Sequence, residues 1–118
     1  MAFKFEKLLV WQKALDFTTE IHELTKTFPK DEMFILTSQI KRAADSIALN
    51  GAEGSTGQSD AEFRKFIGYS VRSSIEVVAC LHIAKKRNLI PNDKFETLYE
   101  EGTVIIKMLQ ALKKTLNK

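Results

Sequence analysis

Residues 38–54 read SQIKRAADSIALNGAEG, and this stretch decides the fold. With Leu36 ahead of it, the stretch sets Leu36, Ile40, Ala43, Ile47, Asn50 and Gly54 at alternating steps of four and three. That spacing gathers them on one side of an α-helix. Beside this seam runs a second row, Gln39, Arg42, Ser46 and Glu53, with Asn50 between the two. Ser38, Lys41, Asp45 and Ala52 already supply a water-facing side, and Ile35 and Leu49 share the polar strip. A row facing only water would not favour those two apolar residues. One reading makes the strip a half-solvated flank of the core. The other makes it a third face, with Gln39, Arg42, Ser46, Asn50 and Glu53 as a polar network at a helix or subunit seam. Such groups need partners when buried, and they set register more than they add stability.

The rest of the chain divides the same way. The only two prolines are Pro29 and Pro91, and Gly51, Gly54, Gly57 and Gly68 lie in the middle third. These mark four segments, each with helical spacing. The first carries Val10, Ala14, Phe17, Ile21, Leu24 and Phe28 and stops before Pro29. The second follows PKDEMF, whose acidic pair suits a helix N-terminus, and ends at Gly54. The third follows STGQSD, where Ser59 or Asp60 caps. Its seam is Phe63, Ile67, Ser70, Ser74, Val77, Leu81 and Ala84, and it closes in Lys85, Lys86, Arg87 and Asn88. The fourth begins near Pro91, with Phe95, Leu98, Gly102, Ile105, Leu109, Leu112 and Leu116 inward. No segment shows useful period-2 alternation. Seams of threes and fours joined by short connections predict an antiparallel up-down-up-down four-helix bundle, one domain over residues 1–118.

Composition is that of an ordinary globular chain, 44% hydrophobic and 28% charged. The single cysteine excludes an internal disulfide framework. Residues 1–7 lack the apolar run of a signal peptide, and no uncharged stretch approaches the roughly 20 apolar residues of a membrane span. The expected location is cytoplasmic, with no membrane partner. Net charge is +3, and the excess sits in residues 55–88, with six basic and three acidic side chains, while the rest of the chain balances to zero. A mildly basic balance permits nucleic-acid binding without demanding it.

Catalytic and metal patterns are missing. Glu-x-x-His, the inward pair of di-iron bundles, does not occur: Thr19 precedes His22 and Ala79 precedes His82 by three. Cys80 and His82 are two apart on a helix and point to different sides. GAEGSTG follows a helix and lacks the lysine of a phosphate loop. No enzyme activity, cofactor or metal is expected. His22, with Trp11 and Leu15 on one flank of the first helix, reads as a packed or interface residue.

LLVWQKALDF, followed by FPKDEMFILTSQIKRAADSIALNGAEG, resembles the four-helix bundle proteins encoded in intervening sequences of bacterial 23S ribosomal RNA genes. That family is similar to the accessory protein of diversity-generating retroelements. Its Trp-Gln-x-Ala is matched by Trp11, Gln12 and Ala14. Its Leu-x-x-Gln-Ile-Arg-Arg-Ala is matched by Leu36, Gln39, Ile40, Arg42 and Ala43, with Lys41 for the first arginine. Its Ser-Ile-x-x-Asn-Ile-Ala-Glu-Gly is matched by Ser46, Ile47, Asn50, Ala52, Glu53 and Gly54, with Gly51 in place of isoleucine. In the third helix Arg72 stands where the family tends to have glycine. The resemblance implies a ring-like homo-oligomer, a pentamer, and a suspected role with nucleic acid.

Two functions follow. In one, an oligomer binds RNA or DNA with little sequence preference through Lys65, Arg72 and Lys86. These lie with Gly68, Ala79 and His82 opposite the core seam of the third helix. No aromatic side chain interleaves in that row, so base stacking is not expected. Multiplied by five, the charge becomes about +15, a multivalent attraction for phosphate. In the alternative, the chain is a protein–protein adaptor or scaffold and the cations are solvated surface. The third face, with the Trp11, Leu15 and His22 flank, exceeds what one bundle buries and predicts self-assembly.

Overall fold

The computed structural model describes residues 2–116. Among them the chain is all α, with four α-helices and no strand: α1 (Leu9–Thr25), α2 (Ser38–Ser55), α3 (Asp60–Lys86) and α4 (Asn92–Thr115). They pack into a body of 43 × 23 × 22 Å. The long dimension is that of α3, whose 27 residues rise about 1.5 Å each.

Asn50 and the half-buried Leu112 excepted, the inward rows are those of the sequence pattern. Val10, Ala14, Phe17, Ile21 and Leu24 of α1 meet Leu36, Ile40 and Ile47, then Phe63, Ile67, Val77 and Leu81 of α3, then Phe95, Leu98, Ile105 and Leu109 of α4. By length and composition α3 passes for a membrane-crossing helix, and it is the only one to do so among the described residues. Its inward side is core, where Ser70 and Ser74 are fully buried. Ser70 Oγ donates to the Ile47 carbonyl at 2.8 Å and Ser74 Oγ to the Ser70 carbonyl at 2.9 Å. Both hydroxyls are therefore satisfied, which buried polar groups require.

Local chemistry sets the ends. A 3-10 turn at Lys4–Lys7 precedes α1. A second, Lys30–Glu32, and a wider π-type turn, Met33–Thr37, lead into α2 and leave Phe34 89% exposed. Ser59 is the cap of α3, its Oγ accepting from the Glu62 backbone N–H at 3.1 Å. Asn88, at φ 60°, turns the chain out of α3 in the left-handed region that asparagine tolerates. Pro91 sits just ahead of α4, at its N-cap.

Contacts between helices pair rising positions with falling ones. On α2 and α3, Gln39 meets Glu76, Ile47 meets Ser70, and Gly54 meets Phe66. On α1 and α2, Trp11 Nε1 donates to the Ala48 carbonyl at 2.9 Å, and Thr18 and His22 both reach Asp45 Oδ1, at 2.6 and 3.1 Å. On α3 and α4, the His82 ring lies edge-on to Phe95 and Tyr99.

These contacts correct three expectations about α2 and α1. First, Asn50 is not in the core seam. Because α2 packs on both α1 and α3, its buried stripe is broader than one seam and takes in Ala44, Ala48 and Gly51, leaving Asn50 half-buried at the edge. Second, the side assigned to water is not open, and at Asp45 it faces α1. Ser38, Lys41, Asp45 and Ala52 are half-buried, and the open side is Gln39, Arg42, Leu49 and Glu53. Third, the Trp11 and His22 flank is used within the chain, against Ala48 and Asp45. Of that flank only Leu15 stays exposed.

Candidate nucleic-acid interface

Lys65, Arg72 and Lys86 lie seven and fourteen residues apart, so the helical repeat sets them on one side of α3. All three are exposed, opposite buried Phe63, Ile67, Ser70 and Ser74. Over the 21 residues between the first and last the row is about 32 Å long. Among the described residues none of the three forms an ion pair, whereas other cations are committed. Arg87 Nη1 lies 3.0 Å from both oxygens of Glu32, and Lys85 Nζ sits 4.4 Å from the centre of the Phe95 ring.

The expected row loses one member and gains a residue from another helix. His82 leans away, its ring packed on Phe95 and Tyr99 of α4. Lys113, from α4, joins the row: its Nζ lies 3.4 Å from where a Cβ on Gly68 would stand. No pattern within α3 could have found that lysine, since it arrives from another helix. The missing side chain at Gly68 is the one local signal that something else fills the space. Ile75 and Ile83 are exposed beside the cations, and Tyr69 lies near them with its ring edge-on to Phe66.

The five residues of the polar strip stay on one side of α2 but do not join into a network within the chain. Gln39 Nε2 donates to Glu76 Oε2 at 3.1 Å, Arg42 donates to Ser38 Oγ at 3.0 Å, and Asn50 Nδ2 donates to the Ser46 carbonyl at 2.9 Å. Two of these bonds span a single helical turn, because a side chain on an outer face reaches the hydroxyl or the backbone carbonyl four residues back before it reaches another helix. Glu53 is exposed at the end of the strip.

A second charged feature was not visible in the sequence. α1 and α4 leave a cleft of about 570 Å³ over Phe17, Val104 and Ile105, rimmed by Asp16, Glu20, Glu100 and Glu101 against Lys13. Burial first, then Glu20, push the Glu101 carboxyl up to about 7. Glu101 Oε1 is buried and meets no donor among the described residues. Two carboxylates can bond only through a shared proton, which is why the pair favours its protonated form.

Nothing in these arrangements is a nucleophile with a base. Burial, then the charge of Glu76, raise the Cys80 thiol to about 11, far from thiolate chemistry at neutral pH. No cluster of three or more His, Cys, Asp or Glu side chains suited to a metal ion occurs among the described residues.

A family model described as 23S rRNA-intervening sequence protein matches residues 6–111. The chain is also similar to a solved structure from Bacteroides thetaiotaomicron, described as a protein of unknown function from the S23 ribosomal protein family. The TM-score is 0.84 at 26% identity, over 90% of this chain and 99% of that one. No curated protein matches.

Proposed function

The chain belongs to the 23S rRNA-intervening sequence protein family, and on that premise we propose that it is a non-enzymatic, self-assembling bundle that binds RNA or DNA without strong sequence preference. The observation that carries this is the row of Lys65, Arg72 and Lys86, exposed on one side of α3 with no ion-pair partner among the described residues. Charges left unpaired on a continuous face are free to displace counterions from a phosphate backbone. The bundle is up-down-up-down, supported by the pairing of rising with falling positions across successive helices. The assembly is a ring-like homopentamer in the cytoplasm, with a likeness to the retroelement accessory protein. Support for self-assembly comes from the open side of α2 and the turn before it, where Leu49 and Ile35 are 66% and 59% exposed.

The test is a salt titration of binding to labelled single-stranded RNA and DNA of several sequences. Affinity falls by about 0.7 log unit per log unit of salt for each phosphate neutralised. The triple variant Lys65→Gln, Arg72→Gln, Lys86→Gln binds every sequence more weakly, with a slope shallower by about 2 for three lost contacts. Binding by the triple variant as tight and as steep as by the wild type ends this reading. A second reading, a protein adaptor, is favoured by Ile75 and Ile83, 52% and 42% exposed on the same face. It predicts no RNA or DNA affinity even at low salt.

A further inference from the structure

A pocket of about 430 Å³ opens where α1 ends and α2 begins, a volume that suits a small molecule. Three lysines from three elements converge on it. Lys26 caps the end of α1, Lys30 opens the turn after Pro29, and Lys41 stands in the first turn of α2. Among the described residues no carboxylate lines the pocket. Lys30 and Lys41 form no ion pair there, although Lys41 is half-buried. Lys26 meets Glu23 at 2.8 Å, but the two side chains are 71% and 65% exposed, and a pair so placed hardly commits the lysine. Asp45, one turn beyond Lys41, is taken up by Thr18 and His22 on the same oxygen.

Local helix chemistry does not call for these cations. The last four carbonyls of α1 are satisfied by their own turn: His22 by the Thr25 hydroxyl at 2.8 Å, and Glu23, Leu24 and Thr25 by the backbone N–H groups of Lys26, Thr27 and Phe28. The α1 dipole accounts for Lys26 at most. Lys41 stands at the positive end of α2, where a cation is disfavoured. Thr37, at the N-cap of α2, makes no capping bond with its side chain, and its hydroxyl is left for the pocket.

We propose that this pocket binds a phosphate monoester, with Lys30 and Lys41 as the anchoring cations, Lys26 at the rim and the Thr37 hydroxyl as a neutral donor. Ammonium groups hold phosphate as point charges, with three donors each. Phe28, buried, and Met33, 48% exposed, supply an apolar wall for the body that carries the phosphate. The same chemistry is offered by a free nucleotide and by the 5′-phosphate end of a nucleic-acid strand. Among the described residues none from α3 or α4 lines the pocket, so the site is separate from the cation row of α3 and does not depend on it.

The experiment is calorimetric titration of the full chain in chloride buffer, at one ionic strength, with adenosine 5′-monophosphate, inorganic phosphate and adenosine as probes. The monophosphate binds once per chain, inorganic phosphate more weakly, and adenosine weaker than the monophosphate by about tenfold or more. Lys30→Gln with Lys41→Gln weakens the monophosphate by about tenfold or more, whereas the Lys65→Gln, Arg72→Gln, Lys86→Gln variant binds it as the wild type does. Should the double variant melt early, Lys30→Gln alone, at an exposed position, lowers the affinity by about threefold. A short RNA with a 5′-phosphate, compared with the same strand ending in a hydroxyl, separates the two sources. A gain from the phosphate that the double variant loses assigns a strand end, and no gain assigns a free monoester. No saturable binding of the monophosphate, adenosine bound as tightly, wild-type affinity in the lysine variants, or binding lost in the α3 variant instead overturns the inference. The salt titration of the α3 row is read separately, so either proposal can fail alone.

Discussion

Two glycines three residues apart on α2 give opposite answers to the same substitution. In isolation each Gly→Ala change favours the helix by about 1 kcal/mol. Their surroundings decide the rest. A Cβ at Gly51 would lie 3.5 Å from Trp11 Cδ1 and 3.8 Å from Ser70 Oγ, ordinary contact distances. It would also enter a cavity of about 10 Å³ bounded by Trp11, Ile47, Ile67 and Leu109. Burying one methyl adds up to about 0.8 kcal/mol, so Gly51→Ala stabilises by about 1 to 1.5 kcal/mol. A Cβ at Gly54 would overlap Phe66 Cβ and stand 3.2 Å from Phe63 Cδ1. Phe66 Cβ is fixed to the α3 backbone and cannot rotate away, so α2 and α3 have to part. Overpacking of this kind costs about 1 to 3 kcal/mol, and near the helix end the propensity gain is smaller. Gly54→Ala therefore destabilises by about 1 to 2 kcal/mol. For a chain of 118 residues, about 2.1 cal/mol/K of unfolding entropy per residue converts 1 kcal/mol to about 4 °C. Thermal melts by circular dichroism, at one fixed chain concentration because assembly shifts Tm, should show Gly51→Ala rising by about 4 to 6 °C and Gly54→Ala falling by about 4 to 8 °C. Shifts of the same sign in both variants would refute the reasoning. Two rises would mean that the helices do not approach closely at Gly54, and two falls that Gly51 has no room beside it.

Glu101 makes stability depend on pH. Its folded pKa, about 7, lies above the ordinary carboxylate value, so its contribution is complete below about pH 4.5 and is lost as pH rises through 7. Partial exposure reduces the effect to about 1 to 2 kcal/mol; Glu101→Gln recovers it at pH 8, and identical urea midpoints for wild type and variant at pH 5 and pH 8 would exclude the Glu20–Glu101 pairing. Trp11→Phe trims the indole to a phenyl ring and deletes the donor to the Ala48 carbonyl at 2.9 Å, so urea unfolding loses about 1 kcal/mol for the bond and more for the lost packing; a midpoint unchanged or raised would show that bond to be idle. Asn50→Leu breaks only a bond to Ser46 within its own helix and shifts the melt of the single bundle by less than about 0.5 kcal/mol, so a larger loss on melting would restore a buried role for Asn50.

How much of this was legible in the sequence differs from element to element. The four helices, their order and their inward rows follow from spacing alone, because 3.6 residues per turn bring every third or fourth side chain to one side whatever lies beyond it. The cap of α3, narrowed to Ser59 or Asp60, and the stop before Pro29 are equally local, since capping and proline chemistry act within a few residues. The cation row of α3 was legible for the same reason, as Lys65, Arg72 and Lys86 share one helix. Lys113 was not, nor was the departure of His82, because both depend on which way α4 packs. A helix's own pattern says which side is apolar but not where its neighbours stand around it. Asp45 therefore faces α1 rather than water, while Leu49 and Arg42 face outward. The meeting of Glu20 with Glu101, the cleft around them, and the contrast between Gly51 and Gly54 likewise exist only once helices distant in sequence are brought side by side. The sequence by itself determined the helices and their cores; the tertiary packing decided which flanks were spent inside the bundle and which were left open to a partner, because burial at a helix edge depends on the position of the next helix and not on the residue's own spacing.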